Sequence, residues 1–377
     1  MAKSVVAVEK TSPETVWDDY GKVMRLAGYQ QVLGPEHPLA LKINISWHRW
    51  FPACSTAPWQ LEGVIRVLLA DGYPKEQIYG AHNRTVVVSA RKGEIANKHK
   101  PVLEKYGINN VHLYDGEEWV RYDPEAEMLV LHDIYPKGIW IPKRLIGSNI
   151  IQFPTVKTHV FTTITGAMKN AFGGLLHEKR HWTHSVIHET LVDLLQIQKE
   201  IHPGVFAVMD GTFAGDGPGP RCMQIHQKNV ILASADQVAI DAVSAKMMGF
   251  DPMSIKFIRL AHERGLGCGR IEEMDIVGED ISDVNWGFVG PKKLTLAARG
   301  QHLIYWGPLR FLEKFLLRTF LVPWSYLASR FYHDVYWYPL IGRGRVKAAL
   351  KTPWGELFQN YESRSPKGTL RGSDLAE

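Results

Sequence analysis

Apolar and polar residues alternate in two distinct patterns along this chain, and these patterns predict strands that alternate with helices. Leu39 to Ser46 alternates with a period of two, which is typical of a strand, and residues 58–71 place apolar side chains at helical spacing. Further strands are expected at 77–79, 111–114, 149–158, 205–209, 230–233 and 274–277, and further helices at 94–106, 164–176, 182–201, 238–248 and 253–263. Strands that alternate with helices pair in parallel through crossover connections. The predicted fold is therefore α/β, a mostly parallel sheet with helices on both faces.

The chain divides into four parts that differ in periodicity and composition. They are an N-terminal helix at 1–30, an α/β core at 31–285, a helical arm rich in aromatic and basic residues at 286–350, and a polar tail at 351–377. Ser12 can cap the first helix and Gly28 can end it. The tail from Thr352 onwards is expected to be disordered, because few apolar residues remain to be buried.

The arm between residues 299 and 350 mixes aromatic rings with cations on short segments that prolines interrupt. This mixture suits a bilayer interface, where rings lie at the depth of the headgroups and cations meet anionic lipid. The alternative is a helical arm that packs on the core of the protein or on a second subunit. The sequence is compatible with both alternatives, a membrane surface and a protein surface, as the partner of the arm.

Composition narrows the class of protein. A net charge of +5 spread over 377 residues does not form the clustered basic face of a nucleic-acid-binding protein, so no nucleic-acid partner is expected. Cys54, Cys222 and Cys268 lie too far apart for a disulfide framework or a self-contained iron–sulfur cluster, which fits a reducing compartment. The N-terminus lacks an apolar core of signal-peptide length, and no apolar run reaches 18 residues. The expected location is the cytoplasm, with a peripheral position at the inner face of the membrane left open.

The clearest candidate site lies in residues 153–174, where a predicted strand runs into a predicted helix. Ligands in open α/β sheets bind at such carboxyl ends of strands. Hydroxyl groups, two ammonium groups, a helix N-terminus and small residues that allow close approach would together form an anion cradle. The residues that would form it are Lys157, His159, Thr162, Thr165, Lys169 and Gly173. The alternative is an ordinary solvated helix start.

Two carboxylates follow the predicted strand at 205–209. Asp210 stands at its carboxyl end, and Asp216 lies in the Gly- and Pro-rich stretch 211–220, which is expected to be irregular. Either carboxylate could bind a metal or act as a general base. The alternative is that both cap turns.

Five further polar residues could face the same site. Lys42 and Asn44 lie near the carboxyl end of the first predicted strand, and with His82 and Asn83 they could complete the pocket from the other side. Asp241 lies inside the apolar helix 238–248, where a buried carboxylate would need a partner such as a cradle lysine or a ligand. The alternatives are ordinary loop polarity and an Asp on the wet face of its helix.

Three histidines are spaced three and four residues apart within the predicted helix 182–201 and the residue before it. His181, His184 and His188 would share one helix face and could together bind a divalent transition metal. Charged neighbours favour the alternative, a solvated surface. Any metal cofactor stays a hypothesis at this stage.

Lys157-Thr-His159, followed by Thr165-Gly-Ala-Met-Lys169-Asn170, is similar to the central signature of domain-of-unknown-function family 362, found in bacteria and archaea. The resemblance covers roughly residues 38–280, and at its start Lys42-Ile-Asn44 stands where the family more often has Lys-Pro-Asn. Some members carry ferredoxin-type four-iron clusters, but this chain has no matching cysteines. The resemblance implies a pocket formed by Lys157, His159, Lys169, Asn170, Asp210 and Asp241.

These patterns favour an enzyme that acts on an anionic small molecule, amphipathic and met at a membrane surface. In this hypothesis Lys157 and Lys169 neutralise the substrate, His159 moves a proton, and an aspartate orients the histidine or binds a metal. The alternative is a non-catalytic binding or assembly protein, such as a cofactor carrier or a membrane-docked redox partner.

Overall fold

The computed structural model describes residues 3–83, 87–292, 294–318 and 322–364 of the chain. The strands are β1 (Val5–Lys10), β2 (Leu39–Ile43), β3 (Ile78–His82), β4 (Asn109–His112), β5 (Trp119–Tyr122), β6 (Ile139–Pro142), β7 (Asn149–Phe153), β8 (Thr155–His159), β9 (Thr163–Ile164), β10 (Val205–Asp216), β11 (Gln224–Ser234) and β12 (Asp275–Gly278). The α-helices are α1 (Val16–Leu26), α2 (Pro58–Ala70), α3 (Ala90–Ala96), α4 (His99–Tyr106), α5 (Leu131–Ile134), α6 (Gly166–Asn170), α7 (Phe172–Leu175), α8 (Ile187–Ile201), α9 (Gln237–Met248), α10 (Lys256–Glu263), α11 (Leu296–Tyr305), α12 (Glu313–Arg318), α13 (Val322–Arg330), α14 (Arg343–Ala349), α15 (Pro353–Gln359) and α16 (Tyr361–Arg364).

One large sheet organises the molecule. Its strand order is β12-β1-β11-β10-β7-β2-β3-β4, with β8 paired to the outer part of β10 and β9 paired to β8. Within that order β11 alone runs against its neighbours, and the remaining pairs are parallel. The prediction of a mostly parallel α/β sheet is confirmed.

Both faces of this sheet are covered by helices. Successive residues of β10 point to opposite faces, so Ala207 and Met209 join one apolar core while Phe206 and Val208 join the other. The first core includes side chains of α6 to α10, and the second includes side chains of α1, α2, α4 and α15. The predicted helices on both faces are confirmed.

The N-terminal part holds a strand that the pattern analysis did not predict. β1 precedes α1, runs parallel to β12 and pairs with β11 on its other side. Val6, Ala7 and Val8 are fully buried, because a strand inside a covered sheet turns apolar side chains to both faces. The expectation of a helix alone over residues 1–30 is corrected to a strand followed by a helix.

The Gly- and Pro-rich stretch after residue 210 is more regular than predicted. β10 continues through it to Asp216, with one irregularity between Gly211 and Phe213 in its pairing with β11. A Cβ on Gly215 would lie 2.4 Å from the sulfur of Met223, so glycine there leaves room for that side chain. Apart from the register shifts between residues 210 and 215, the irregular part lies in the turn between β10 and β11.

The expectation of a disordered tail from Thr352 is wrong as far as the structure describes it, to residue 364. α15 follows a Thr352 cap, and its Trp354 and Leu357 are fully buried. Trp354 lies 5.1 Å from Trp59, centroid to centroid, and Tyr361 donates a hydrogen bond to the buried Glu62. Burial of the aromatic side chains of Trp354 and Tyr361 holds this stretch on the core although most of its residues are polar. Residues 365–377 lie outside the part of the chain that the structure describes.

The arm has one packed side and one exposed side. Trp337 is buried against Trp47, and Asp334 accepts a hydrogen bond from Trp47 Nε1 at 2.8 Å. Its outer side exposes large apolar residues, among them Phe311, Phe315, Leu327, Phe331, Val335 and Leu340. Within the described residues, no helix has the length and apolar character needed to cross a membrane.

Candidate functional site

A cavity of about 260 Å³ opens at the carboxyl ends of β2, β3 and β8, and we call it the basic cavity. Strand β8 supplies alternate residues, Lys157 and His159, to the same wall, as their spacing of two predicts. The predicted residues that line it are Lys42, Asn44, Lys157, His159, Thr165, Lys169, Asn170 and Gly173. His82 and Asn83 line it as well. Several separate segments therefore meet in one crevice.

The charge in the basic cavity is one-sided. Its cationic side chains are Lys42, Lys157, Lys169, Arg180 and Arg221, and no Asp or Glu stands among the described residues that line it. The described chain also places no carboxylate within ion-pair distance of the three lysines. Positive charges held together without a carboxylate create a strong local positive potential.

Burial and mutual repulsion weaken the protonation of these lysines. Burial, with a smaller effect of Arg180, lowers the pKa of Lys42 to about 7. Burial lowers the pKa of Lys157 to about 8, and burial followed by repulsion from Lys157 and Arg180 lowers that of Lys169 to about 7. Each ammonium group is therefore close to losing its proton at neutral pH.

The three ammonium groups differ in their partners. Lys42 Nζ donates to the carbonyl of Ile43 at 2.7 Å, and Lys157 Nζ donates to the hydroxyl of Thr155. Lys169 makes no hydrogen bond or ion pair with the described residues; its Nζ lies 5.4 Å from the ring centroid of Phe172. Lys169 is thus the lysine best placed to donate to a ligand.

His159 is a neutral imidazole with a defined orientation. Its Nδ1 accepts the backbone N–H of Phe161 at 3.1 Å, so the proton of the neutral ring lies on Nε2. Burial, followed by repulsion from Lys169, holds the pKa of His159 well below its usual value. Nε2 is the ring nitrogen left to exchange a proton with a ligand.

Small and amide residues hold Lys42 in place. A Cβ on Gly174 would lie 2.8 Å from Lys42 Cε, so a larger residue there would displace the lysine side chain. Asn170 Nδ2 donates to the carbonyl of Lys42 at 2.8 Å and to Gln152 Oε1 at 2.9 Å. Gly174 and Asn170 therefore help to set the position of Lys42.

Asp241 is buried but does not reach the cavity. Its carboxylate accepts the backbone N–H groups of Ala167 at 2.5 Å and Met168 at 3.1 Å, which caps the first turn of α6. Gly166 has a φ of +79°, and a Cβ there would lie 2.3 Å from the carboxylate. Burial raises the pKa of Asp241 to about 8 despite these hydrogen bonds. The predicted catalytic role is therefore corrected to a structural one, and the helix N-terminus expected to hold an anion holds Asp241 instead.

Asp210 also lies away from the basic cavity, because β10 continues beyond it and turns its side chain toward α1 and α2. Its Oδ2 accepts the hydroxyl of Tyr20 at 2.7 Å and Nε1 of Trp59 at 3.0 Å, and its Oδ1 accepts the Thr212 hydroxyl at 2.8 Å. Burial raises its pKa above the usual value, opposed by these hydrogen bonds. The prediction that Asp210 stands at a strand end is wrong.

Thr162 and Asp216 have local structural roles. The helix predicted from residue 164 begins at Gly166, so Thr162 precedes it and donates to the carbonyl of Ile164 at 2.7 Å. Asp216 accepts the backbone N–H groups of Gly217, Val289 and Gly290 at 2.6–3.1 Å and fastens the chain after β12 to the hairpin. Neither residue lines the basic cavity.

The three predicted metal-binding histidines are not arranged as one ligand set. Residues 178–186 form a 3-10 helix and α8 begins at Ile187, so the α-helical spacing that would align them is broken. His181 and His184 line the basic cavity, whereas the ring of His188 stacks on Phe257. Burial first, then repulsion from Lys169, lowers the pKa of His184 to about 3.

Two arginines of the cavity were not predicted. Arg180 belongs to the segment interpreted as solvated surface, but it is buried. Arg221 follows Pro220 in the β10–β11 turn, and its Nε donates to the carbonyl of Ser46 at 3.2 Å. A folded hairpin brings Arg221 to the strand ends, and no local pattern signals that approach.

A second, mostly apolar cavity of about 500 Å³ adjoins the basic cavity, and we call it the apolar chamber. The two share His159, His181, His184 and Arg221 in their walls. The chamber is otherwise lined largely by Val160 and Phe161 and by residues of the arm, including Ala298, Ile304, Tyr305, Tyr326 and Ala328. A charged compartment and an apolar one therefore lie side by side.

One known protein is similar to part of this chain. A protein of Synechocystis sp. named "thylakoid-associated protein" is 27% identical over 183 residues, which cover 47% of this chain and 53% of the relative. The match thus spans about half the length of that curated relative. No solved structure matches the chain.

A family match covers more than half of the chain and includes the strand ends and helices that form the basic cavity. The matching family is described as "Domain of unknown function (DUF362)", and its match runs over residues 39–246. The lysines, His159 and Asn170 of the cavity fall inside this range, whereas the arm lies outside it. The chain belongs to this domain-of-unknown-function family.

Proposed function

We propose that the chain is an enzyme that acts on a small anionic, amphipathic molecule at a membrane surface, with the anionic group bound in the basic cavity. The observation that carries the proposal is that Lys42, Lys157 and Lys169 surround one cavity and that no carboxylate stands among its described lining residues. Uncompensated buried charge is costly, and an anionic ligand is the natural compensation.

The lysines support the choice of an anion over a neutral ligand. Their pKa values of about 7, 8 and 7 reflect burial without sufficient negative charge nearby. A bound phosphate or carboxylate would favour the charged ammonium form and would take up protons on binding. Affinity for the anion is therefore expected to fall as pH rises above about 8.

In this proposal the reaction depends on His159 and the lysines, because Asp210 and Asp241 are occupied elsewhere. Lys157 and Lys169 neutralise the anionic group, and the Nε2–H group of His159 donates its proton toward the bound molecule. Because its pKa lies well below the usual value, His159 is neutral at physiological pH, and Nε2–H is the donor that its ring offers to the ligand.

The apolar chamber supports an amphipathic substrate. It begins where the basic cavity ends, and His159 lies in the wall of both. A molecule with an anionic head and an apolar tail would place the head among the lysines and the tail beside Phe161 and Tyr305.

The outer side of the arm supports a membrane surface as the place of action. The side chains of Phe311 and Leu340 are 77% and 69% exposed, whereas large apolar side chains of a folded chain are mostly buried. The Synechocystis relative is named for its association with the thylakoid, a membrane system. Exposed rings with interspersed cations are suited to an anionic lipid interface.

Binding of octyl phosphate and inorganic phosphate to the full chain, measured by calorimetry, tests this proposal. We expect octyl phosphate to bind at least about 100-fold more tightly, because buried methylene groups contribute about 0.8 kcal/mol each. Lys169→Ala should weaken binding at least about 30-fold, the lower end of the cost of removing one partner of a buried charge pair. Its fold should be unchanged, since Lys169 makes no hydrogen bond or ion pair with described residues.

Lys100→Ala is the matched control, because Lys100 lies on an exposed helix face and pairs with Glu104. It should bind both probes like the wild type. Equal binding by Lys169→Ala and the wild type would contradict the cavity as the anion site. Equal binding of the two phosphates would remove the amphipathic part of the proposal.

The exposed arm also favours a second function, a non-catalytic binding or assembly protein that docks on a partner. Native mass spectrometry can identify a molecule that co-purifies with the wild type. Its binding and conversion by His159→Gln and by the wild type then distinguish the two functions. An enzyme would retain that molecule in the variant but lose its conversion, whereas a carrier would show no conversion in either protein.

A further inference from the structure

Beside the basic cavity, two histidines and a glutamate from three different elements meet at one point. His82 ends β3, Glu94 lies in α3 and His112 ends the neighbouring strand β4. His82 Nε2 lies 3.2 Å from Glu94 Oε2, and His112 Nε2 lies 2.9 Å from the same oxygen. The ligand atoms of all three residues fall within 4.8 Å of one another.

An oxygen atom from a fourth residue, Asn110, completes the cluster. Asn110 Oδ1 lies 2.9 Å from His82 Nε2, while Asn110 Nδ2 donates to Glu94 Oε2 at 2.9 Å. β3 and β4 pair in parallel with His82 opposite His112, so the sheet itself sets the distance between the two imidazoles. Backbone pairing gives the cluster a rigid frame, as a preorganised metal site needs.

The residue types of the cluster are those of a metal-binding set. Two histidines and one carboxylate form a donor set that binds zinc in proteins with a further position for water.

Two of the distances are close to those around a tetrahedral ion. Zinc bonds of about 2.0–2.2 Å place neighbouring ligand atoms roughly 3.3–3.6 Å apart. The separations of 2.9 and 3.2 Å between Glu94 Oε2 and the two imidazole nitrogens would need to open by roughly 0.1–0.7 Å to match. Small side-chain rotations are sufficient for that change.

A second cluster within the described chain, His262, Cys268 and Glu273, is a weaker candidate. His262 Nδ1 accepts the N–H of Gly269 at 3.2 Å, and Glu273 is exposed and pairs with Arg270. Two of these groups therefore already have other partners. This cluster therefore serves as an internal comparison.

We propose that His82, Glu94 and His112 bind one divalent transition metal ion of the zinc type, with Asn110 and water as further oxygen ligands. The ion would join β3 and β4 to α3. Asn83, Val87 and Val88, which lie between His82 and Glu94 in the chain, line the basic cavity. The ion would therefore hold one wall of that cavity, and this inference does not depend on what the cavity binds.

Zinc titration of the metal-free full chain tests the site. Calorimetry should show a tight equivalent in the wild type that Glu94→Gln and His112→Asn each weaken more than about 100-fold, beyond the 10–100-fold effect typical of outer-shell partners. His262→Asn should retain that equivalent. His37→Asn, which removes an exposed histidine paired with Glu36, is the control for surface binding and should also retain it.

Zinc should raise the melting temperature of the wild type and of both control variants but not of the two site variants. X-ray absorption of the zinc-loaded wild type should show two imidazoles at about 2.0–2.1 Å, a result that does not depend on how the variants fold. No zinc binding by the wild type, or equal binding by His112→Asn, would overturn the proposal. Loss of the tight equivalent in His262→Asn alone would assign it to the other cluster.

Discussion

Lys42 and Lys157 illustrate how burial changes the chemistry of a common side chain. Both ammonium groups are nearly inaccessible to solvent, and their pKa values fall from 10.5 to about 7 and about 8. The unfolded chain therefore binds protons that the folded chain lacks between these values and 10.5. The free energy of unfolding accordingly rises with pH across this window. It falls again as pH decreases toward 7, because the buried lysines must then take up protons in the folded chain.

Lys42→Met should remove part of this dependence. Each lysine contributes up to about 1.4 kcal/mol per pH unit to the slope of stability. Urea unfolding between pH 8 and 9.5 should show a smaller rise in the free energy of unfolding for the variant than for the wild type. Parallel slopes would mean that Lys42 keeps its proton in the folded state.

Asp210 is a residue outside the lining of the basic cavity, and its buried carboxylate supports the fold through hydrogen bonds to side chains of α1 and α2. Asp210→Asn leaves an amide among donors from Tyr20, Trp59 and Thr212, so at least one N–H group meets another donor. We expect a loss of about 1–3 kcal/mol in the free energy of unfolding. The affinity for octyl phosphate should stay unchanged. A selective loss of that affinity would mean that Asp210 takes part in the anion site.

At the scale of single elements, α6 depends on a residue in another helix, 73 and 74 positions from the two residues that it caps. Asp241 of α9 caps the first turn of α6, which carries Lys169 and Asn170 into the basic cavity. The cap therefore positions two cavity residues through one short helix. A change in the packing of Asp241 in the core would thus shift Lys169 and Asn170 in the cavity.

Asp241→Ala should destabilise the protein by about 2–6 kcal/mol, because two buried N–H groups lose their acceptor at about 1–3 kcal/mol each. Thermal unfolding followed by circular dichroism measures the change. Asp251→Ala, which removes an exposed cap of a short 3-10 turn, is the matched control and should have a much smaller effect. An equal effect of the two variants would contradict the special role of Asp241.

At the scale of the whole molecule, the C-terminal part has two separate roles. Trp337, Trp354 and Tyr361 complete the core on one face of the sheet, whereas Phe311, Phe331 and neighbouring apolar residues face outward. Removal of the whole region would expose that core, so it cannot test membrane binding. Substitutions confined to the outer side can.

Phe311→Ser, Phe331→Ser and Leu340→Ser combined should reduce binding to anionic vesicles at least about tenfold, since each buried apolar side chain contributes about 1.5–3 kcal/mol. Vesicle flotation measures the bound fraction. Serine at Ile95 and Ile146, which are exposed apolar residues outside the arm, provides the control and should leave binding unchanged. Equal flotation of both variants would favour a protein partner for the arm.

Short-range patterns predict much of the fold because they follow directly from backbone geometry. The period of two at the start of β2 and the helical period of α2 depend on neighbouring residues, and the structure confirms a strand at Leu39–Ile43 and a helix at Pro58–Ala70. β1 and the buried α15 were missed because each rests on a few apolar residues whose burial depends on distant partners. A four-residue apolar run is compatible with several structures until the rest of the sheet is in place.

By itself the sequence determined the alternation of strands and helices, the strand ends that carry Lys157 and His159, and the excess of cations near them, because these properties follow from spacing and residue type. Tertiary structure alone decided that Arg180 and Arg221 join the cavity while Asp210 and Asp241 turn to hydrogen-bond donors elsewhere. It also decided that His82, Glu94 and His112 meet. Those outcomes depend on which segments the sheet and hairpin bring together over long distances, and no local pattern contains that information.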